Sequence, residues 1–197
     1  MPSPLRWRDL WERWGSRPAD GLYEELIARY REPHRKYHTE QHLDECFAHF
    51  DAAPEHPAEV ELALWFHDAI YDTRRQDNEE KSADWARRVC PAEAAERVHA
   101  LVMATRHDAV PSGRDAELLV DIDLSILGAA PERFDEYERQ VREEYAWVPG
   151  FVFRRKRAEI LEGFLARPAI FSTQAFFQKL EQAARTNLRR SLERLAR

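Results

Sequence analysis

A histidine and an aspartate side by side in an apolar run are out of place on a helix that packs a core, yet the stretch LWFHDAIYD places His67 and Asp68 there. Read as one helix from Pro57, PAEVELALWFHDAIYD puts Val60, Ala63, Leu64 and His67 on one stripe. Asp68 and Tyr71 continue that stripe from Leu64, so both ionisable side chains turn inward. A lone buried histidine is commonly a hydrogen-bonded core residue. A carboxylate buried beside it is costly without a cation, which a charged histidine or a metal ion can provide.

Two other segments carry matching exceptions. In YHTEQHLDECFAHF, Thr39 is the expected N-cap and His42 shares a face with Leu43, Cys46, Phe47 and Phe50. His49 lies on roughly the same face but about 10 Å further along, too far to share an ion with His42, and reads as structural. In DAELLVDIDLSILG, Asp121 and Asp123 point about 200° apart on a helix. Asp121 shares its row with Glu117 and Ser125, and Asp123 shares its row with Leu119 and Leu127, so Asp123 is expected to face inward. His42, His67, Asp68 and Asp123 form a set of two imidazoles and two carboxylates. Such a set suits a divalent ion, Mn, Fe, Co, Ni, Mg or Zn, with positions left for water.

The elements that must position these residues are helical throughout. Apolar residues recur at three- and four-residue spacing, and no run alternates as a half-buried strand would. The expected fold is all-α, with eight to ten helices in a single domain over residues 1–197. The metal-site core would occupy about residues 30–130, with helices from about 131–197 packing on it. Pro57, Pro91 and Pro131 each mark a helix start, Asp77 and Glu80 have the spacing of a capping box, and a last long helix runs from about Phe171 to Ala196.

Composition narrows the function classes. The 197 residues are 44% hydrophobic, with a net charge of −6 distributed without blocks. That balance offers no basic face and disfavours nucleic acid as a partner. The basic stretch Arg154, Arg155, Lys156 and Arg157 reads as a helix face balanced by acids. Trp7, Trp11, Trp14, Trp65, Trp85 and Trp147 read as helix packing. Cys46 and Cys90 form no CxxC pair and read as small buried thiols in a reducing compartment. The N-terminal MPSPLRWRDLWERWG is interrupted by charge, and no apolar run is long enough to span a membrane. A cytoplasmic protein, with a homodimer allowed, is the expectation.

The strings YHTEQH, WFHDAIYD, NEEKSA, ATRHD and DIDLSILG, in this order on a helical chain, resemble the HD superfamily of metal-dependent phosphohydrolases, in particular its small bacterial members. They cover Tyr37 to Gly128, and VREEY and ARTNL extend a weaker similarity. The resemblance implies that His42, His67, Asp68 and Asp123 ligate the metal, with Asp68 able to bridge to a second ion. YHTEQH is also similar to the YHNxxH signature of helical cyclic-nucleotide phosphodiesterases, with Thr39 in place of Asn. That similarity makes His38 a general-acid candidate. Glu79 matches an acid that follows the His-Asp pair in some members of the superfamily.

These readings predict hydrolysis of a small phosphorylated compound, with nucleotides the leading class. Asp68 would orient water, and His38, Glu79 or His107 would handle protons. Arg35, Arg142 and Arg185, which accompany the recognised strings, are phosphate-contact candidates together with His107. Two alternatives remain open: a di-iron oxygenase of related architecture, and a non-catalytic metal- or nucleotide-binding module.

Overall fold

A computed structural model describes residues 2–197. Among them are ten α-helices: α1 (Pro4–Arg13), α2 (Leu22–Tyr30), α3 (Glu40–Asp51), α4 (Ala58–Phe66), α5 (Asn78–Val89), α6 (Ala95–Ala104), α7 (Arg114–Asp123), α8 (Pro131–Glu144), α9 (Gly150–Ala166) and α10 (Gln174–Leu195). A short 3-10 helix covers Leu124–Gly128. No described residue is in a strand, so the fold is all-α. No described helix is long and apolar enough to cross a membrane. The chain divides into two compact units, the first ending at Ile122 and the second running from Asp123 to Arg197.

The first unit is organised around α4, which packs against α1, α3, α5 and α6. Every residue of α4 from Val60 to Phe66 is buried, so this helix is apolar on all sides and belongs in the centre. Its one acid in that run, Glu61, is tolerated there because Arg6 donates to it at 2.7 Å and Arg13 makes a second ion pair. Around α4 stands an aromatic cluster. The ring centroids of Trp65 lie 5.1 Å from Trp7 and 4.8 Å from Phe47, and those of Phe66 and Trp85 are 5.5 Å apart. Trp147, by contrast, is exposed.

Several predicted starts shift. Pro131 is the first residue of α8 as expected, and Thr39 caps α3 by accepting from the Gln41 N–H at 3.3 Å. Pro57 is the N-cap residue of α4. Pro91 opens a turn instead of a helix: its carbonyl accepts from Ala94, and α6 begins only at Ala95. Asp77 does precede α5, but no capping box forms, because its carboxylate is taken by a bidentate ion pair with Arg75 at 2.7 and 2.6 Å.

The larger correction concerns the His-Asp helix. It ends at Phe66, and His67 and Asp68 occupy the turn that follows. Side chains from elsewhere take over the main-chain groups that a continuing helix would use. Arg35 donates to the Asp68 and Ala69 carbonyls, and Ser82 accepts from the Ile70 N–H at 3.0 Å. Asn78 and Asp72 then exchange hydrogen bonds, fixing the loop to the start of α5.

In the second unit α10 packs against α9 and the 3-10 helix. The Asn187 amide donates to the carbonyls of Leu127 and Ala129 at 3.0 and 2.9 Å, closing the end of the 3-10 helix. Gly128 permits the close approach, since a Cβ there would stand 2.7 Å from that of Leu180. The basic stretch on α9 is balanced as expected: Arg155 and Lys156 face Glu159, and buried Arg157 pairs with Glu138 under the Tyr137 ring.

Candidate metal centre

Three electron-rich atoms meet in the first unit. His42, on the inner face of α3, and His67, just past the end of α4, have their Nε2 atoms 3.0 Å apart. The Asp68 Oδ2 lies 3.1 Å from His67 Nε2 and 3.5 Å from His42 Nε2. Both imidazoles are buried. His67 Nδ1 lies 2.8 Å from the Leu64 carbonyl, which can only accept. That assigns the Nδ1 proton and leaves the Nε2 lone pair of the neutral ring aimed at His42 and Asp68.

The His67 Nε2 lone pair and the Asp68 carboxylate oxygen, 3.1 Å apart, repel unless something positive lies between them. Protons can satisfy the edges one at a time, whereas a single cation satisfies all three. The spacing fits an ion: ligands at right angles on bonds of about 2.1 Å stand about 3.0 Å apart.

The donor set extends beyond these three. His42, Cys46, His67 and Asp123 each offer an atom, and the four atoms lie within 4.8 Å of one another. Asp123 is the last residue of α7. Asp68 is outside this group of four and meets it through the two imidazoles. Cys46, buried one turn beyond His42, is the member that sequence reasoning passed over as a packing thiol. Its signal was the i, i+4 relation to His42. His49, half-buried on α3, is not in the group, in keeping with its structural reading.

Asp121, expected to face outward with Ser125, is fully buried, and Ser125 is buried as well. The second half of α7 is buried on every side, Leu118 to Ile122 without exception, so the row that starts at half-buried Glu117 is enclosed by Asp121. The chain tightens to a 3-10 helix at Leu124, and all five of that helix's residues are buried.

Of the proton-handling candidates, His38 lies near the centre. The His38 ring stacks on Tyr71 at 4.0 Å and stands 6.0 Å from that of His42. Burial raises the Asp68 carboxyl, but without a cation in the centre the His67 and His38 rings can carry the positive charge, His67 then bearing a second proton on Nε2, and they hold Asp68 well below the usual carboxylate range. Glu79, half-buried in the first turn of α5, shifts the other way. Burial raises it, the Asp68 charge adds to the rise, and Arg106 and His107 oppose it. His107 has a left-handed backbone, φ +58°, just past the end of α6.

The arginines expected to meet phosphate are committed elsewhere. Arg35, with no exposed side-chain surface, donates to the main-chain carbonyls of His38, Asp68 and Ala69 and to Glu32. It therefore positions the His38 and Asp68 backbones. In the second unit, Arg142 binds the carbonyls of Tyr145 and Val148 beyond α8, and Arg185 binds Glu181 and the carbonyls of Leu165, Arg167 and Pro168. No protein-family model, curated protein or solved structure matches the chain.

Proposed function

We propose that this protein is a metal-dependent phosphohydrolase of the HD superfamily, acting on a small phosphate ester, with nucleotides the leading class. The observation that carries the reading is the triangle of His42 Nε2, His67 Nε2 and Asp68 Oδ2, with edges of 3.0, 3.1 and 3.5 Å. His42, His67, Asp68 and Asp123 would hold the ion. A divalent cation, when bound, supplies Lewis acidity toward a phosphoryl oxygen and lowers the pKa of water toward about 7.

The side chains of this chain do the rest. Asp68, kept anionic by the histidines around it, accepts a hydrogen bond from the attacking water at a carboxylate oxygen and so orients it. Glu79, which burial makes keep a proton to a higher pH than an exposed glutamate, serves as a proton carrier for the site. His38, fixed by its stack on Tyr71, gives a ring N–H proton to the departing ester oxygen.

The test is phosphate release from a panel of nucleotides and sugar phosphates with Mn, Co, Ni, Mg or Zn added. The expected result is metal-dependent release from one class of compound, abolished by chelator. His38→Ala is expected to lower turnover of poor leaving groups by about 10²–10⁴-fold while sparing p-nitrophenyl esters, which need little protonation. No release from metal-loaded protein would overturn the hydrolase and leave a binding module. Stoichiometric iron cycling between oxidation states, again without release, would favour the oxygenase.

A further inference from the structure

The donor group contains one atom that the hydrolase reading does not use, the sulfur of Cys46. It lies 3.7 Å from His42 Nε2 and 3.8 Å from its Nδ1, on the same helix face one turn along, and within 4.8 Å of the His67 and Asp123 donors. A sulfur about 2.3 Å and a nitrogen about 2.1 Å from one ion stand about 3.1 Å apart at right angles and about 3.6 Å apart at tetrahedral angles, so the Cys46 sulfur lies at the outer edge of that range. Cys90, also in the first unit, is the contrast. It too is buried, but its sulfur faces the Arg87 carbonyl at 3.9 Å and belongs to no donor group.

We infer that Cys46 is a metal ligand, and that the centre therefore takes a borderline-soft ion such as Zn²⁺, Co²⁺ or Fe²⁺ in preference to Mg²⁺. The inference rests on the proposal that this site holds a metal, and it narrows the class of ion. Thiolate sulfur favours zinc and the later transition ions, whereas magnesium requires oxygen ligands and retains its water. A centre of two imidazoles and one thiolate beside the Asp68 and Asp123 carboxylates is the donor chemistry of the first group.

Cobalt reports the bond directly, since thiolate ligation adds a near-ultraviolet sulfur-to-cobalt charge-transfer band to the visible ligand-field bands. Reduced, chelator-stripped protein titrated with Co²⁺ is expected to show both. Cys46→Ser should lose the charge-transfer band and retain the ligand-field bands, and Cys46→Ala, which places no hydroxyl in the buried site, should do the same. Cys90→Ser should keep both. Excess Mg²⁺ should leave the wild-type spectrum in place, and Zn²⁺ should erase it.

Ligand-field bands without charge transfer in the wild type, or a charge-transfer band that survives in Cys46→Ser, would overturn the assignment of Cys46 while leaving the metal site intact. Displacement of cobalt by Mg²⁺ would overturn the ion preference. A wild-type protein with no cobalt spectrum at all would overturn both this inference and the metal-dependent function beneath it.

Discussion

Asp68→Ala is expected to abolish phosphate release and sharply reduce metal content while leaving the helical circular dichroism unchanged. The side chain and the main chain of this residue do different work. Its carboxylate lies against both imidazoles, whereas its carbonyl takes the Arg35 hydrogen bond that shapes the turn. Truncating the side chain removes the anion that a bound cation needs and keeps the backbone anchor. The loss of metal affinity should exceed the about 10–100-fold that follows removal of an outer-sphere partner. Asp68→Asn, which keeps the shape and discards the charge, should reproduce the loss. Full metal occupancy in either variant would remove Asp68 from the ligand set.

Arg35→Ala is expected to destabilise the fold itself. Its guanidinium satisfies three main-chain carbonyls, at 2.6 Å from Asp68, 3.2 Å from His38 and 3.0 Å from Ala69, and lies over the rings of Tyr30 and Tyr71. Leaving a buried acceptor unpaired costs about 1–3 kcal/mol, so losing the group should cost roughly 3 kcal/mol or more. For a chain of this size that lowers the melting temperature by about 6–12 °C. Arg35→Lys should recover only part of this, because one ammonium cannot span carbonyls that a planar fork reaches together. Denaturant unfolding checks the magnitude. A loss below about 1 kcal/mol would show that the turn holds without Arg35.

These two residues also mark what could be read from the sequence. His42, His67 and Asp123 were legible because a polar side chain on an apolar helical row stands out, and the cost of burying it demands a partner. Cys46 was not, since a thiol on an apolar face reads the same whether it packs or ligates. Arg35 could not be assigned because two of its partners are carbonyls more than thirty residues away, and main-chain acceptors leave no trace in residue types.

The helical class followed from periodicity, but the end of α4 did not. Its pattern runs on through Tyr71, and the helix stops because Arg35 and Ser82 take its continuing main-chain groups. Asp121 is buried for a different reason: the second half of α7 is enclosed on all sides, which polar Glu117 one turn earlier does not reveal. Tyr30 shows the same long-range dependence: its buried hydroxyl donates to the Trp65 carbonyl at 3.1 Å, tying α2 to the last turn of α4 just before the histidine.

The most direct measurement is elemental analysis of protein purified without chelator, repeated after stripping and reloading, on the wild type and on His67→Ala. A metal centre predicts stoichiometric divalent metal in the wild type, restored on reloading, and its loss in His67→Ala with the helical circular dichroism intact. Wild-type protein that holds no metal under saturating Zn²⁺, Co²⁺ or Mn²⁺ would contradict it, and the buried histidines and carboxylates would then be a hydrogen-bonded core.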